Sequence, residues 1–544
     1  MQFNAAILKI ARICKMQNVK HKTKHLLPIL FIVGVALTLT PMMTLAAPGD
    51  YNTSDIAVIN NIIATNNLSW TPDTVVDGDA IPIGWIGVTW SSDATNKRIV
   101  QLNIANRNLD GALDVTDLTA LEVLVCDNNN LVSLNASGLN ALEYLRCNSS
   151  RLTSLNVSGC IALEYLYCSY NYNLTSLDVS GLTALERLNC SNNPYLTSLN
   201  VSGCTALEYL NCSYSNLISL DVSGLAALEV LVCFNSNLTS LNVSGCTTLK
   251  SLNFNSSNLI SLDVSGCTAL ATLYCNNSSL TSLNISGCTA LVTLHCHNNS
   301  LTTLNVSDCT ALEELFCGYN NLTYLNVSGC TALTELSCGY NNLTSLTVSG
   351  FPNLTSLNVS GCTALTSLTV SDFPNLSSMN VSGCTALESL NCSKNNLYFL
   401  NAFGCTALES LNCSNNNLSS MNITGCTALQ SLNCSGNKLT YLDISRLSNI
   451  SYLDVRNNYM MANESSVIGV TDATAFVDWG TGDFYFLPQK VNPGDLVVLS
   501  VVIAVFFSLV FCVFLLFLFS VSICVGAVLC AMMLLKWLQN RRKK

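Results

Sequence analysis

The chain has 544 residues, a formal net charge of −10, 28 cysteines and only 10% charged residues. All 33 acidic residues lie between residues 48 and 495, whereas 11 of the 23 basic residues lie in the two terminal segments. Because so acidic a middle region repels phosphates, the composition argues against a nucleic-acid partner.

The first 47 residues have the pattern of a secretory signal peptide. Residues 1–24 contain six basic and no acidic side chains, and the apolar run LLPILFIVGVALTLTPMMTLAA follows at 26–47. A basic segment, an apolar core and small residues at the end define such a signal. We therefore predict a signal peptide at 1–47 with cleavage near Ala46 or Ala47, and the long basic leader leaves an uncleaved anchor open.

From Ile99 onward the chain repeats a unit of 21 or 22 residues that has two halves. The first half follows L-x-x-L-x-C-S-x-N-N, and the second follows L-x-x-L-N-V-S-G-C-T-A. First halves begin at Ile99, Leu121, Leu142, Leu163, Leu185, Leu207, Leu228, Leu249, Leu270, Leu291, Leu312, Leu333, Leu387, Leu408, Leu429 and Ile450. One unit is too short to bury its own apolar face, so stacked units are expected to share a continuous solenoid core.

The alternation within L-x-x-L-x-C predicts a strand whose fourth and sixth residues point inward and whose third and fifth point outward. Stacked copies then form a parallel sheet. The following turn often holds an Asn, whose buried amide can satisfy backbone groups. These residues are Asn129, Asn171, Asn193, Asn299, Asn320, Asn341, Asn395, Asn416, Asn437 and Asn458. A weaker ladder is predicted where Ser replaces Asn, at Ser150, Ser215, Ser236, Ser257 and Ser278.

The unit resembles the repeat of the leucine-rich repeat superfamily, L-x-x-L-x-L-x-x-N/C-x-L, as in LEELFCGYNNL at 312–322. Its short period is similar to that of prokaryotic internalin-like cell-surface proteins. The resemblance covers about residues 99–458 and implies an α/β-type, β-rich solenoid of about 17–18 coils, with a parallel sheet on its concave face. It also implies an N-terminal cap at 48–98 and a C-terminal cap and linker at 459–495, although the usual cap cysteines are absent.

The repeat loses its alternation between residues 343 and 387. Four second-half units follow one another there: LTSLTVSGFPN, LTSLNVSGCTA, LTSLTVSDFPN and LSSMNVSGCTA. Strict alternation after the first half at Leu333 requires an odd number of second halves. We predict either an over-long coil or an exchange of faces in this segment.

An uncharged apolar stretch runs from Leu496 to Leu535, and the basic tail KWLQNRRKK follows at 536–544. A spanning helix needs about 20 apolar residues, so this stretch can form one long tilted span or a hairpin of two. Because a basic tail favours the cytoplasm and the signal exports the middle region, we predict one C-terminal transmembrane helix at 496–535. The chain would then be a single-pass plasma-membrane protein with its N-terminal ectodomain outside and its C-terminus cytoplasmic.

Most of the cysteines occupy two inward positions of the repeat. Other copies hold Phe254 or Leu182 at those positions, and Cys190 keeps its place beside Leu182. Disulfide partners should be lost together, whereas a free cysteine packs as a small hydrophobic residue. We therefore predict buried thiols. An exported location leaves scattered disulfides open, and the lack of C-x-x-C in the repeats disfavours zinc.

Patterns for metal binding and catalysis are weak. His295 and His297 share one strand face, but no neighbouring coil adds a third ligand, so we interpret both as solvated. The segment NRNLDGALDVTD at 106–117 nearly fits a calcium loop, but its Leu109 and Leu113 are needed as repeat positions. Nucleophile-elbow, zinc-protease and phosphate-loop motifs are absent from the sequence. We predict no enzyme activity, no metal site and no cofactor.

The outward columns of the concave face are the best candidate for ligand binding. Aromatic and arginine side chains, which are typical of binding hot spots, occur there as Tyr144, Arg146, Tyr165, Tyr167, Arg187, Tyr209, Tyr274 and Phe316. Further tyrosines lie near the strand ends, at Tyr170, Tyr214, Tyr319 and Tyr340. A glutamate column that we interpret as a solvated ridge comprises Glu122, Glu143, Glu164, Glu186, Glu208 and Glu229. Tyrosine also suits exposed strands, so a purely structural role stays open.

The resemblance and these side chains together predict a membrane-anchored cell-surface protein. Its expected role is that of an adhesin or ligand-binding ectodomain that recognises an extracellular protein or glycan. A structural surface-coat glycoprotein and the ligand-binding subunit of a receptor complex stay open as alternatives, because a nine-residue tail would need a partner subunit to signal.

Overall fold

The computed structural model describes residues 50–73, 84–461, 466–469, 484–486, 489 and 532–533. Its N-terminal part contains the helix α1 (Thr53–Thr65), which begins after Asn52, whose side chain accepts a hydrogen bond from the Asp55 amide. Ile56, Ile59 and Ile62 recur at helical spacing and are buried. The helix therefore presents one apolar face to the first coil of the repeats.

Asp55 fixes this helix to the first repeat strand. Its buried carboxylate accepts a hydrogen bond from the Ile99 amide at 2.7 Å and pairs with the Arg98 guanidinium at 2.8 Å. Further along, the Asn66 side chain donates to the carbonyl oxygens of Asp110 and Ala112 at 2.7 and 2.8 Å. These bonds satisfy backbone groups at the open end of the solenoid.

One long sheet of 17 strands runs along the repeats. It begins with β1 (Val88–Trp90), which pairs antiparallel to β2, and all later neighbours are parallel. The parallel strands are β2 (Ile99–Asn103), β4 (Val123–Val125), β6 (Tyr144–Arg146), β8 (Tyr165–Tyr167), β10 (Arg187–Asn189), β12 (Tyr209–Asn211), β14 (Val230–Val232), β16 (Ser251–Asn253), β18 (Thr272–Tyr274), β20 (Thr293–His295), β22 (Glu314–Phe316), β24 (Glu335–Ser337), β25 (Ser356–Asn358), β27 (Ser378–Asn380), β29 (Phe399–Asn401) and β31 (Ser420–Asn422).

Shorter parallel sheets line the opposite face of the solenoid. Their strands are β3 (Asp110–Asp114), β5 (Asn130–Asn135), β7 (Ser154–Asn156), β9 (Ser176–Asp178), β11 (Ser198–Asn200), β13 (Ser219–Asp221), β15 (Ser240–Asn242), β17 (Ser261–Asp263), β19 (Ser282–Asn284), β21 (Thr303–Asn305), β23 (Tyr324–Asn326), β26 (Ser367–Thr369), β28 (Ser389–Asn391), β30 (Ser410–Asn412), β32 (Ser431–Asn433) and β34 (Tyr452–Asp454). The predicted β-rich solenoid with a parallel sheet is thus confirmed.

Each strand is held in register by its central apolar residue. Leu188 of β10 lies between Leu166 and Leu210 of the neighbouring strands, and all three are fully buried. The residues on either side of this leucine are half-buried and point outward. A shift of one residue would expose the leucine row to water, so the hydrophobic pattern fixes the register.

The turn asparagines form the predicted ladder. The Asn320 amide donates to the carbonyl oxygens of Cys317 and, one coil back, Cys296, at 3.1 and 3.0 Å. Its Oδ1 atom accepts from the Leu301 amide at 3.0 Å. Serine replaces only part of this: the buried Oγ atoms of Ser150 and Ser215 have no hydrogen-bond partner among the described residues, whereas Ser236 donates to the Cys233 carbonyl of its own coil at 2.6 Å. The ladder is therefore weaker at Ser150 and Ser215, as predicted, and is partly kept at Ser236, Ser257 and Ser278.

All cysteines of the repeats are buried, and the structure records them as free thiols. In the second-half column the thiol also donates to the preceding coil, as Cys330 does to the Val306 carbonyl at 3.2 Å and Cys204 to the Val179 carbonyl at 3.1 Å. Burial raises the pKa of both thiols to about 11. With these pKa values the two thiols stay protonated at neutral pH. Only the thiolate is an effective nucleophile, so these cysteines are unreactive and serve to fill the core.

The half of the repeat unit that supplies the strands of the long sheet changes between β24 and β25. This change lies inside the segment where the sequence predicts an over-long coil or an exchange of faces. From β2 to β24 its strands come from first halves, whereas from β25 onward they come from second halves. First-half strands continue on the opposite face, where β28 follows β26. Residues 343–353 fill the opposite face at the junction without forming a strand, with Leu346 and Phe351 buried.

The C-terminal end of the solenoid is closed by short strands. After β33 (Leu442–Asp443), β35 (Val467–Ile468) extends that edge, and β36 (Phe484–Tyr485) pairs in parallel with β34. The Gln489 side chain donates to the Val455 carbonyl at 3.0 Å and accepts from the Asn458 amide at 3.1 Å. Gln489 therefore takes the place of the partner that a further coil would have provided for Asn458, the last asparagine of the ladder.

The predictions of a C-terminal transmembrane helix at 496–535 and of a single-pass plasma-membrane location need correction. In the part of the chain that the structure describes, no helix is both long and apolar enough to span a membrane. A span needs about 20 apolar residues, and α1 has 13. The segment 496–535 lies outside the described residues except for Met532 and Met533, and so does the predicted signal peptide at 1–47.

Candidate functional site

Six of the side chains predicted to bind a ligand lie together on β6, β8, β10 and β12 of the long sheet. The strand register places four of them in one row and two in the next: Tyr144, Tyr165, Arg187 and Tyr209, then Arg146 and Tyr167. Each position alternates with a buried leucine, so its side chain points away from the core and is half-buried. We call these six residues the upstream patch.

The aromatic rings of the upstream patch support one another. The ring centroid of Tyr144 lies 6.2 Å from that of Tyr165 and 5.7 Å from that of Tyr167, in tilted arrangements. The Arg187 guanidinium lies over the Tyr209 ring, 5.2 Å from its centroid. Tilted ring pairs and cation–π contacts are both attractive, so the rings are held in place before any ligand arrives.

Arg146 has a structural partner that the sequence did not reveal. Its guanidinium forms an ion pair with Asp127 of the preceding coil, whose side chain is almost fully buried. The same carboxylate accepts a hydrogen bond from the Asn148 amide at 2.7 Å. A charge buried this deeply needs its partner, so Arg146 neutralises the coil below it and is less available to a ligand than expected. The sequence feature that could have revealed this ion pair is Asp127 itself, because the position after the first-half cysteine usually holds Ser or Asn.

The glutamate column borders the upstream patch at the start of its strands. Consecutive members hydrogen-bond through the backbone, as the Glu164 amide does to the Glu143 carbonyl at 2.9 Å, so the carboxylates are one coil apart. Burial and the Glu143 carboxylate raise the pKa of Glu122. The Tyr165 hydroxyl donates to Glu186 at 3.0 Å, and burial together with that carboxylate raises the Tyr165 pKa. The patch therefore presents neutral phenols beside a row of negative charge.

The other two predicted binding residues, Tyr274 and Phe316, lie further along the sheet with His295 between them. The His295 ring centroid lies 4.9 Å from that of Tyr274 and 4.5 Å from that of Phe316, edge to face in both cases. We call Tyr274, His295 and Phe316 the downstream patch. Strands β14 and β16, which carry Val230, Val232, Ser251 and Asn253 outward, separate it from the upstream patch.

The interpretation of His295 and His297 as solvated side chains is wrong. Both are partly buried, and the Nε2 atom of His295 and the Nδ1 atom of His297 have no hydrogen-bond partner among the described residues. The Glu314 carboxylate lies 3.9 Å from His295 Nε2. Burial, and then the positive charge that His297 would carry, lower the pKa of His295, and burial lowers that of His297. The sequence placed the two on one face but could not show that the rings of Tyr274 and Phe316 pack on His295.

Acidification is expected to destabilise the coils around this histidine pair. The folded pKa values are below the unfolded ones, so the unfolded chain binds more protons as the pH falls below about 6.5, and stability decreases. Between about pH 7.5 and pH 5, the wild type should lose more unfolding free energy than the His295→Gln/His297→Gln variant. Urea unfolding at the two pH values measures this difference. Equal losses in the two proteins would show that the histidines do not contribute.

Metal binding finds no support within the described ranges, where no group of three or more His, Cys, Asp or Glu side chains could hold an ion. The segment 106–117 that nearly fits a calcium loop crosses β3, and its Leu109 and Leu113 are buried as repeat positions. The charged side chains of that segment therefore follow the coil and do not converge on a common point.

A repeated two-sided coil, a parallel sheet built from one half of each unit and a buried asparagine ladder define a leucine-rich repeat protein, and this chain belongs to that superfamily. The family described as Zer-1-like leucine-rich repeats matches residues 271–405. The family described as leucine-rich repeats in two copies matches residues 161–203. Proteins of this superfamily are generally binding scaffolds.

Several solved structures are similar to the chain. The functional domain of InlJ from Listeria monocytogenes, described as including a cysteine ladder, is 26% identical, with 73% of this chain and 76% of that chain covered and a TM-score of 0.40. YopM from Yersinia enterocolitica is 21% identical over 66% and 91% of the two chains, with a TM-score of 0.32. A leucine-rich repeat protein from Bacteroides eggerthii is 14% identical over 77% and 98%, with a TM-score of 0.40. A comparison with curated proteins found no match.

Proposed function

We propose that this chain is a ligand-binding leucine-rich repeat protein that holds a protein ligand against the long sheet, with the upstream patch as its main contact. The observation that carries the proposal is the row of tyrosine and arginine side chains on four adjacent strands. Tyrosine offers a large rigid ring and a hydroxyl at a small entropic cost, which is why it is enriched in binding hot spots.

The charge pattern supports a ligand with lysine or arginine side chains. The glutamate column runs beside the upstream patch, and a cation there would face both carboxylates and the electron-rich faces of tyrosine rings. Lys250, which follows Glu229 in the same column, already pairs with that carboxylate at 2.5 Å. An external basic segment can repeat this contact along the column. Adhesion to another surface is one use of such a face.

Replacing Tyr165, Tyr167 and Tyr209 together with alanine is expected to weaken ligand binding by at least about 100-fold, because each ring supplies hot-spot contact area. The full chain is first screened against a panel of purified extracellular proteins, and the affinity of a captured protein is then measured by biolayer interferometry. The matched control is Tyr324→Ala, which removes a tyrosine that is 57% exposed on β23 of the opposite face. Unchanged affinity in the triple variant, or an equal loss in the control, would contradict the proposal.

A further inference from the structure

Four tyrosines occupy a backbone position that is unfavourable for them. In the turn after each strand of the long sheet, one residue has a positive φ, and its amide donates to the next coil, as Tyr340 does to the Ser360 carbonyl at 2.7 Å. Most coils fill this position with residues that tolerate or often adopt it: Asn128, Ser149, Asn192, Asn235, Ser256, Asn277 and Asn298. Four coils instead hold Tyr170, Tyr214, Tyr319 and Tyr340, with φ between 53° and 59°. We call these four residues the tyrosine edge.

Burial of these four rings is too small to offset the cost of the left-handed backbone conformation. Tyr170, Tyr214, Tyr319 and Tyr340 are 45%, 47%, 55% and 50% exposed. A bulky residue in the left-handed region that also remains exposed points to a role outside the core. Because Asn fits the same turn in neighbouring coils, the coil itself does not require tyrosine.

The rings of the tyrosine edge are fixed by their neighbours. The rings of Tyr319 and Tyr340 stack with centroids 4.3 Å apart and planes at 9°. On its other side Tyr340 lies against Gly361, where an added Cβ would come within 2.6 Å of the ring. Upstream, Tyr214 packs edge to face on Phe234 at 5.1 Å, and Tyr170 on Tyr172 at 6.5 Å. The edge therefore consists of rings held by their neighbours and open to solvent.

The chemistry of the turn column is neutral. From residue 128 to residue 340 its members are Asn, Ser and Tyr, without a charged side chain. The amides between the tyrosine pairs carry donors and acceptors, and Asn298 donates to Asn277 at 2.8 Å. This contrasts with the glutamate column at the opposite end of the same strands. Flat rings alternating with amides and hydroxyls complement a ligand that has apolar C–H faces and many hydroxyl groups but no charge.

We propose that the tyrosine edge binds an extended neutral polysaccharide, with the C–H groups of the sugars packed against the solvent-exposed parts of the rings and the hydroxyls bonded to the turn amides. Tyr170 and Tyr214 are two coils apart, which at the spacing of adjacent strands is roughly 10 Å. This distance is close to the repeat of two sugars in an extended β-1,4-linked chain. Tyr170 and Tyr214 of the tyrosine edge lie in turns that follow strands of the upstream patch, and the two sites share no side chain.

Affinity electrophoresis of the full chain tests the proposal. Gels contain hydroxyethylcellulose or glycol chitin, and gels with heparin serve as the anionic comparison. The wild type should be retarded by at least one of the two neutral polymers and not by heparin. The variants Tyr170→Asn/Tyr214→Asn and Tyr319→Asn/Tyr340→Asn should each bind at least tenfold more weakly. Because Asn suits the left-handed turn, their melting temperatures should equal or exceed that of the wild type.

The outcomes separate recognition from a structural role. If neither neutral gel retards the wild type, or heparin retards it more strongly, the proposal is wrong. Lower melting temperatures with unchanged retardation would show that the tyrosines serve the coil instead. The variant with Tyr165, Tyr167 and Tyr209 changed to alanine should keep its retardation. Loss of retardation in that variant alone would move the polysaccharide site to the long sheet and overturn the assignment to the edge.

Discussion

Replacing Asn341 with alanine is expected to lower the free energy of unfolding by about 3 kcal/mol, because several buried backbone groups lose a side-chain partner. The Asn341 amide donates to the carbonyl oxygens of Cys338 and, one coil back, Cys317, at 2.9 and 3.0 Å. Its Oδ1 atom accepts from the Leu322 amide at 2.9 Å. Urea unfolding followed by far-ultraviolet circular dichroism measures the change.

The same substitution at a serine of the ladder provides the control. Ser215 is buried, and its hydroxyl has no partner among the described residues, so Ser215→Ala removes an unsatisfied group. We expect that variant to be as stable as the wild type or slightly more stable. Equal losses at Asn341 and Ser215 would mean that the side-chain ladder contributes nothing beyond its packing volume.

Phe254→Ala is expected to cost about 4 kcal/mol, which is typical of an aromatic residue truncated in a close-packed core. Phe254 is fully buried and takes the place that cysteine holds in the coils on either side, at Cys233 and Cys275. Stacked backbones cannot move together to fill the space, because each coil is bonded to two neighbours; the Phe254 amide, for example, donates to the Tyr274 carbonyl at 3.0 Å. Calorimetry or urea unfolding measures the cost.

Cys275→Ala is the matched control for this cavity, since it removes one sulfur atom from the same column in the next coil. Its cost should be about 1 kcal/mol, in proportion to the smaller volume lost. A loss at Cys275 as large as that at Phe254 would indicate a specific role for the thiol. That result would support a function for the cysteines, against which their exchange with Phe and Leu in other copies argues.

The repeat itself made the fold predictable. Inward leucines, such as Leu188, recur with the period of a strand, and the turn asparagines recur with the period of a coil. Both patterns have one physical solution, because a unit of this length can bury its apolar face only against copies of itself. Sequence reasoning therefore reached the parallel sheet, the buried cysteines and the asparagine ladder. The predictions of a transmembrane helix and of solvated histidines were wrong, and the repeat pattern carries no information about either.

The side-chain contacts between neighbouring coils could not be predicted from the sequence. Asp127 and Arg146 are 19 positions apart, and their ion pair depends on which side chains two neighbouring coils bring together. His295 lies between Tyr274 and Phe316, which come from the coils before and after it. The rows of outward residues were predictable from their alternation with leucine. Which members pack on each other was not, because ring orientation depends on the packing of three coils at once.

The amino-acid sequence by itself determined the solenoid, its coil length and the identity of its inward residues, because the hydrophobic period admits only stacked strands. Tertiary structure alone decided which half of the unit lies on the long sheet after β24, since both half-units satisfy the same apolar pattern and either can pair with Glu335 and Leu336. It also decided that the side chain in the left-handed turn position points to solvent, whether that residue is Tyr340 or Asn128. The reason is that the backbone conformation of the turn sets this direction, and the residue type at that position does not fix the conformation.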